Sequence, residues 1–479
     1  MILNSSDTDI VFVSNFSTKM NETNRNIASK LPEDISYKIL TYRKTDMENS
    51  FSYEEFLDLN YDDIVKFDIK DLNTEFKDAN LFLAVVCERF FTNYYYGIES
   101  TLGNKNLSFD EINFLIKSFV LFIAPYIKKS KLVFSGYVDN FMSTITYYIA
   151  EQYNKRCLSF HEVSIIDNNS NFLFEGLFGK PVENLITNET PKSYNDLISF
   201  MNDYDASIDI KERAIKNKSM KKGIFGIFSP NIFDIKYIKF AIFGYKADKK
   251  ILIYMNIDKP NIAKKLKANI VRVFNKVVAS LFFKTFNFKH RDDIKYIYFP
   301  LQLQPEASTA SRAPFYMNQL STIENISKSL PLGYKLLVKE HPIALGMNNI
   351  SFYKKIQDIP NVDFVDIYTK GTDLIDISDL MITFGGTTLF ESILRGKKVL
   401  MLLEDYTYIN SRMIFNVSGR TDIRKFIRKA LDANFSDEEK LFEKEKMLNF
   451  FYQRGFPRFE DFEKNIAKNI IKVYKSLKN

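Results

Sequence analysis

Two short stretches hold the residues whose types and spacing can do chemistry. In LLVKEHP at 336–342 an apolar strand pattern runs into a His-Pro pair, His341-Pro342. In TFGGTTLFESILRGKKV at 383–399 an apolar run meets Gly385-Gly386-Thr387-Thr388, then a helical pattern that carries Glu391. Glycines let a backbone approach a ligand closely, and free N–H groups at a helix start, backed by the helix dipole, suit a phosphate. The threonine hydroxyls add donors for phosphate oxygens. Glu391, one turn further on, can accept hydrogen bonds from ribose hydroxyls. Its alternative is an acid that merely stabilises the helix dipole.

His341 is one of three histidines and ends a strand pattern, where open α/β sheets place their ligands. Neutral or charged, its imidazole can donate to a phosphate and support a departing nucleotide. The bland alternative is a surface histidine that closes a strand. Pro342 removes a donor and fixes the exit of the chain. Lys339 and Glu340 precede the pair, and strand alternation sends one of them away from the histidine's side; Lys339 is grouped with the nucleotide residues. A third polar loop, Gln304, Pro305, Glu306, Ser308 and Thr309, follows the strand pattern YIYFPL and could reach across the cleft, with Gln304, Pro305, Ser308 and Thr309 expected to touch nucleotide.

A transfer to an acceptor hydroxyl also needs a base on the acceptor side. Asp139 and Glu175 are ranked together for that role, ahead of His161 with its neighbour Glu162. Asp139 can instead be a helix cap and Glu175 a loop acid. His290, between Lys289 and Arg291, reads as a solvated linker residue. No HExxH, cysteine-pair, EF-hand or Walker A pattern appears, so neither a metal site nor ATP hydrolysis is expected.

The elements that must position these residues show best between about 294 and 403. Strand-like runs (IKYIYFPL, YKLLV, VDFVD, LMITF, KKVLMLL) alternate with helical patterns there, which predicts right-handed βαβ units and a parallel sheet. Gly333, Gly371 and Gly396 fall where the chain should turn. The N-terminal part repeats the pattern more roughly. DIVFVS, SYKILTY, KLVFSG and RCLSFHEV read as strands, 107–129 as a long helix, and DNFMSTITYYIAEQYN as a helix capped by Asp139 or Asn140. Residues 181–290 read as mostly helical. In NIAKKLKANIVRVFNKVVASLFF, Ile262, Leu266, Ile270, Val273, Val277 and Leu281 recur at helical spacing. That face either packs on the protein or rests on a membrane.

The motifs YIYFPLQLQPEAST at 296–309, LLVKEHP and TFGGTTLFESILRGKKV resemble the bacterial capsule polysaccharide biosynthesis proteins, which include Kdo transferases. The resemblance is specific over about 290–410, weaker at 135–163, and slight over 181–290 and the C-terminal tail. It implies an α/β fold of the GT-B kind, two Rossmann-like domains facing a cleft, with a helical insertion and C-terminal helices. The expected division is 1–180 for the acceptor side, 181–290 for the insertion, 291–420 for the nucleotide-sugar side, and 421–479 for helices returning to the first domain. In that family the His-Pro and Gln-Pro pairs are associated with the nucleotide of a CMP-activated sugar, here His341-Pro342 and Gln304-Pro305. The expected function is a metal-independent glycosyltransferase that needs no cofactor and moves a sugar from a nucleotide donor to a glycan or glycolipid. A UDP-sugar transferase, a sugar-nucleotide epimerase and a non-catalytic assembly or export component are the alternatives.

Composition is compatible with this. With 479 residues, 46% hydrophobic content, 45 Phe and 27 Tyr, the chain can build two or three cores and is neither disordered nor fibrous. A net charge of +7 allows contact with anionic lipid or an acidic glycan, and gives no case for nucleic acid. Cys87 and Cys157 lie in apolar stretches and read as inert buried thiols. The first ten residues lack the basic and apolar regions of a signal peptide, so a cytoplasmic location is expected, with peripheral contact at the inner membrane face left open.

Overall fold

The computed structural model describes residues 7–14, 18–77, 79–86, 107–138, 140–162, 171–177, 179–182, 185, 190–198, 262–283, 288–304, 308–367, 369–403, 409–417, 422–455 and 461–477. Two sheets organise them. The first runs β3-β2-β1-β4-β5-β6-β7, with β1 Thr8–Val13, β2 Tyr37–Thr41, β3 Ser50–Ser52, β4 Ser130–Gly136, β5 Arg156–Glu162, β6 Asn171–Glu175 and β7 Lys180–Pro181. It is parallel as far as β5, while β6 and β7 add an antiparallel edge. The second runs β10-β9-β8-β11-β12-β13, with β8 Lys295–Pro300, β9 Tyr334–Lys339, β10 Val362–Val365, β11 Leu380–Thr383, β12 Lys398–Met401 and β13 Ile414–Asn416. All its pairs are parallel. Two doubly wound, Rossmann-like units make this an α/β protein of the GT-B kind.

Parallel sheets must be covered on both faces, which is why their strands read as unbroken apolar runs. In β1, Ile10 and Phe12 enter a core with the helices Thr18–Ala28 and Phe462–Ser476. Their neighbours Val11 and Val13 enter another with the helices Tyr53–Lys66, Phe109–Lys129 and Phe141–Gln152. Side-chain oxygens start three of these helices: Ser52 and Ser108 form capping boxes with Glu55 and Glu111, and Asn140 accepts from Ser143 N–H at 3.1 Å. The cap of that third helix is therefore Asn140. Asp139 lies outside the described residues.

The C-terminal helices join both units. Met447 and Phe451 of the helix Asp437–Arg454 belong to the second core, and the Phe451 ring stands 5.2 Å from that of Phe172 in β6. Phe462–Ser476 lies in the first core, where the Tyr474 hydroxyl donates to Asp9. Lys131 also binds Asp9, at 2.8 Å. Although burial of Asp9 opposes its charge, these partners and Ser36 hold its carboxyl well below the usual range.

The helix Ile262–Phe283 corrects the expectation from its apolar spacing. Ile270, Val277 and Leu281, with Phe274, are 48%, 52%, 59% and 66% exposed, while Ala279 and Phe283 are buried. The docked face is 272, 276, 279 and 283, nearly opposite the apolar stripe. Phe283 packs on Tyr353 and Phe364, with ring centroids 5.1 and 5.4 Å away. Gly346 admits the helix to this position. Its φ is +89°, and a Cβ there would lie 2.6 Å from the Arg272 carbonyl oxygen and 2.8 Å from Lys276 Cβ. Side chains of 262–269 lie outside the described residues, as does 199–261 of the expected insertion.

Gly346→Ala should therefore lower stability by at least ~1–2 kcal/mol, the cost of left-handed backbone alone, before the clash is added. Phe274→Ala, on the exposed face, should stay within about 0.5 kcal/mol. Chemical denaturation of the two variants checks this, and equal effects would mean that the docked face is misidentified.

Candidate functional site

Ligands of doubly wound sheets sit beyond the carboxyl ends of the strands, where the strand order reverses. In the second sheet that point lies between β8 and β11. The loop leaving β8 is held by amides. Gln302 N–H donates to Gln319 Oε1 at 2.7 Å, and Gln319 Nε2 returns to the Gln302 carbonyl at 3.0 Å. Gln304 Nε2 donates to the Met317 carbonyl at 2.7 Å, so this side chain shapes the loop. Pro305, Glu306 and the side chain of Ser308 lie outside the described residues. Ser308–Arg312 then forms one π-helical turn, a rare geometry that is frequent at functional sites. Thr309, expected to touch nucleotide, is fully buried. That is a correction, since a hydroxyl sealed inside the turn cannot meet a ligand.

Beside β8, strand β9 delivers Lys339, Glu340 and His341. Both charged residues are buried. Glu340 accepts from His341 N–H at 2.7 Å, Asn348 Nδ2 at 3.0 Å and the Tyr353 hydroxyl at 3.0 Å. Three donors converge on one carboxylate, so Glu340 pins the backbone of the His-Pro corner even though burial raises its carboxyl. Pro342 opens a short 3-10 turn, Pro342–Ala344, closed by Ala344 N–H to the His341 carbonyl at 2.8 Å. Burial and then the Lys339 charge push the His341 imidazole down to about 4. Of the two protonation states considered, the neutral one holds near pH 7.

On the other side of β8, strand β11 ends at Thr383, whose hydroxyl donates to the Gly385 carbonyl at 3.0 Å and accepts Gly385 N–H at 3.2 Å. Gly385 and Gly386 have φ of +119° and +82°, conformations cheap only for glycine. The helix Thr387–Leu394 begins at Gly386 without any side-chain cap, and nothing lies within 4 Å of a Cβ placed on Gly386. Gly386 and Thr387 are exposed, and Thr388 is half-buried. The start of this helix thus borders open space at Gly386. Half-buried Glu391 is the fifth helical residue, so the first-turn dipole reading does not apply to it. Adjacent strands lie about 4.8 Å apart, which puts the ends of β9 and β11 roughly 10 Å apart across β8.

The first sheet reverses between β1 and β4, at Ser14 and Gly136. The end of β5 reaches the other unit. Arg312 Nη2 lies 2.6 Å from His161 Nδ1 and 3.0 Å from Nε2. Because His161 lies near the end of β5 and Arg312 in the turn that follows β8, this contact joins the carboxyl-end regions of a strand from each sheet. Burial, and then the Arg312 charge, hold His161 well below its ordinary value. An imidazole so enclosed is a poor candidate base, which corrects its place in the sequence reading. Glu175 is corrected as well. The register pairs it with Leu158 near the start of β5, away from the carboxyl edge, and Arg156 takes its carboxylate at 2.9 and 3.0 Å. Sequence reasoning missed Arg312; the available signal was an arginine just beyond the Gln-Pro loop. Cys157 is buried and its thiol pushed up to about 12, mainly by burial, as fits an inert thiol, while Cys87 lies outside the described residues. Among the described residues, no group of three or more His, Cys, Asp or Glu gathers as a metal site.

No family model matches the chain. No curated protein matches it either. Among solved structures, one of Thermosulfurimonas dismutans KpsC, beta Kdo 2,4 transferase, is 13% identical, covers 66% of this chain and 79% of its own, and has a TM-score of 0.30. Neisseria meningitidis UDP-GlcNAc 2-epimerase bound to UDP-GlcNAc is 11% identical, with 97% and 100% coverage and a TM-score of 0.26. A putative UDP-N-acetylglucosamine 2-epimerase from Listeria monocytogenes is 12% identical, with 98% and 96% coverage and a TM-score of 0.25. Likeness this distant carries no argument about activity, and the site rests on its own geometry.

The neutral His341 is testable. Its folded value of about 4 lies below the ordinary 6.5, so the native state binds fewer protons than the unfolded chain between those values. Its contribution to stability is present above pH 6.5 and is lost as pH falls toward 4. NMR titration should show the His341 ring neutral down to about pH 4. A midpoint near 6.5 would mean that the ring is solvated and not enclosed.

Proposed function

We propose that the chain is a sugar-nucleotide enzyme, and more specifically a glycosyltransferase that helps build a capsule or cell-surface polysaccharide. The observation that carries this reading is the placement of His341 and the Gly385–Thr387 turn on the two sides of β8, at the reversal point of the second sheet. That spacing suits a nucleotide: N–H groups of the uncapped helix take a phosphate, His341 donates to it, and Glu391 receives ribose hydroxyls. The motif resemblance suggests a CMP-Kdo-like donor. Gln304 serves by shaping the loop, Pro342 by fixing the corner, and Lys339 by its charge. Thr388, behind Thr387, completes the turn.

In the proposed reaction an acceptor hydroxyl of a glycan or glycolipid attacks the anomeric carbon. A base on the first unit, with Asp139 the remaining candidate, takes the hydroxyl proton. The bond from the anomeric carbon to the phosphate oxygen breaks, and the nucleotide leaves with its negative charge held by His341 and the 385–387 turn. Positioning and preorganised dipoles do this without a metal or cofactor. We propose a cytoplasmic location; no helix among the described residues is long and apolar enough to cross a membrane.

A thermal-shift screen with CMP, UDP, GDP and ADP tests the reading. At a hundredfold excess over Kd a ligand adds about 2.7 kcal/mol, so CMP should raise the melting midpoint by several degrees. His341→Ala should lower transfer ~10²–10³-fold in a folded protein, the effect of one lost donor to developing charge. Activity should also survive EDTA. A UDP preference would point to the UDP-sugar alternatives, and silence toward every nucleotide to the assembly role.

The exposed stripe Ile270, Phe274, Val277 and Leu281 supports peripheral membrane contact, since its helix also carries Lys264, Lys265 and Lys267 in sequence and no acid. Flotation with vesicles rich in anionic lipid should carry the protein upward, and Phe274→Asp with Val277→Asp should abolish that. Equal flotation of both proteins would rule out this face as the membrane contact.

A further inference from the structure

Arg312 combines three features that the proposed reaction does not use. It closes the π-helical turn Ser308–Arg312 on the carboxyl edge of the second sheet. Its guanidinium crosses to the first unit, where its partner is the buried ring of His161. Its Nε is buried and meets no hydrogen-bond partner among the described residues, and the same holds for the hydroxyl of fully enclosed Ser311 next to it.

A guanidinium stays charged in proteins and offers five N–H donors in a rigid fork. Buried cations are ordinarily met by a carboxylate, because an unpaired charge away from water is strongly disfavoured. Half-buried Arg156 follows that rule here, with Glu175 at 2.9 Å. Arg312 departs from it. Among the described residues no carboxylate lies within ion-pair distance of it, and an imidazole held neutral supplies no negative charge. His161 instead orients the fork by one nitrogen and leaves the remaining donors for something else. The location is where the two carboxyl edges meet, the place where such folds hold ligands.

We propose that Arg312 is an anion-binding residue of the site between the two units, its guanidinium taking an anionic oxygen group, phosphate or carboxylate, of the bound donor. This rests on the nucleotide-sugar reading above and adds to it the residue that recognises the donor's charge. His161 is then a positioning residue. The guanidinium matches both oxyanions bidentately, and a nucleotide-activated sugar acid carries both.

Binding of CMP, cytidine and free Kdo to the wild type, Arg312→Gln, Arg312→Lys and His161→Gln, read by calorimetry with melting midpoints as the check on folding, decides the matter. With phosphate as the partner, Arg312→Gln should weaken CMP about 10- to 100-fold and leave cytidine unchanged. With carboxylate as the partner, CMP holds while free Kdo is lost by a similar factor. Arg312→Lys keeps the charge but loses the fork, so it should fall between the two and serves if the glutamine variant does not fold. His161→Gln should weaken the same ligand less. If both Arg312 variants melt lower yet bind CMP and Kdo as the wild type does, Arg312 only clamps the two units and the proposal fails. A wild type silent toward all three ligands and toward the other nucleotides would overturn the nucleotide reading itself, and this inference with it.

Discussion

A parallel sheet can be stable only if both of its faces are covered, because its strands are apolar on both sides. This protein meets that demand twice, and most of its architecture follows from it. β1 sends Ile10 and Phe12 to one layer of helices and Val11 and Val13 to the other. One of the covering helices, Phe462–Ser476, comes from the far end of the chain. Covering both faces uses up the strand surfaces, and only the strand ends remain for chemistry. His341, Gly385, Gly386, Thr387 and Arg312 therefore all follow strands of the second sheet, past their carboxyl ends.

The edge is electrostatically unusual because so much charge there is out of water. Lys339 and Glu340 are both buried one residue apart. Burial, with the Lys339 charge second, keeps His341 neutral, and Glu340 fixes the His341 backbone through its N–H. Such an arrangement is set before any ligand arrives, so little reorganisation is left for the moment of reaction. Glycine supplies the matching freedom at 385 and 386, where any other residue would strain the backbone before the uncapped helix.

The two units are coupled by a few contacts of different character. Phe172 against Phe451 is apolar packing. Arg312 with His161 is polar and lies at the carboxyl edges. Interfaces of this mixed kind permit relative motion of domains more readily than a single continuous core.

By itself, the sequence determined the periodicities and the turns. The apolar runs at 294–403, the glycine pair after LMIT and the His-Pro pair after LLVKE were enough to anticipate a parallel sheet with polar loops at its strand ends, because these depend on neighbours along the chain. Tertiary structure decided which face of a periodic helix is buried. Ile262–Phe283 docks through Arg272, Lys276, Ala279 and Phe283 because Gly346, distant in sequence, lacks the Cβ that would block it. It also decided the fate of side chains that looked alike on paper. Glu175 read as a candidate base, or else a loop acid, until its strand register set it beside Arg156, and His161 ranked behind it for that role until Arg312 closed over it from the other unit. Burial and charge pairing depend on what arrives from elsewhere in the chain, and no local spacing carries that information.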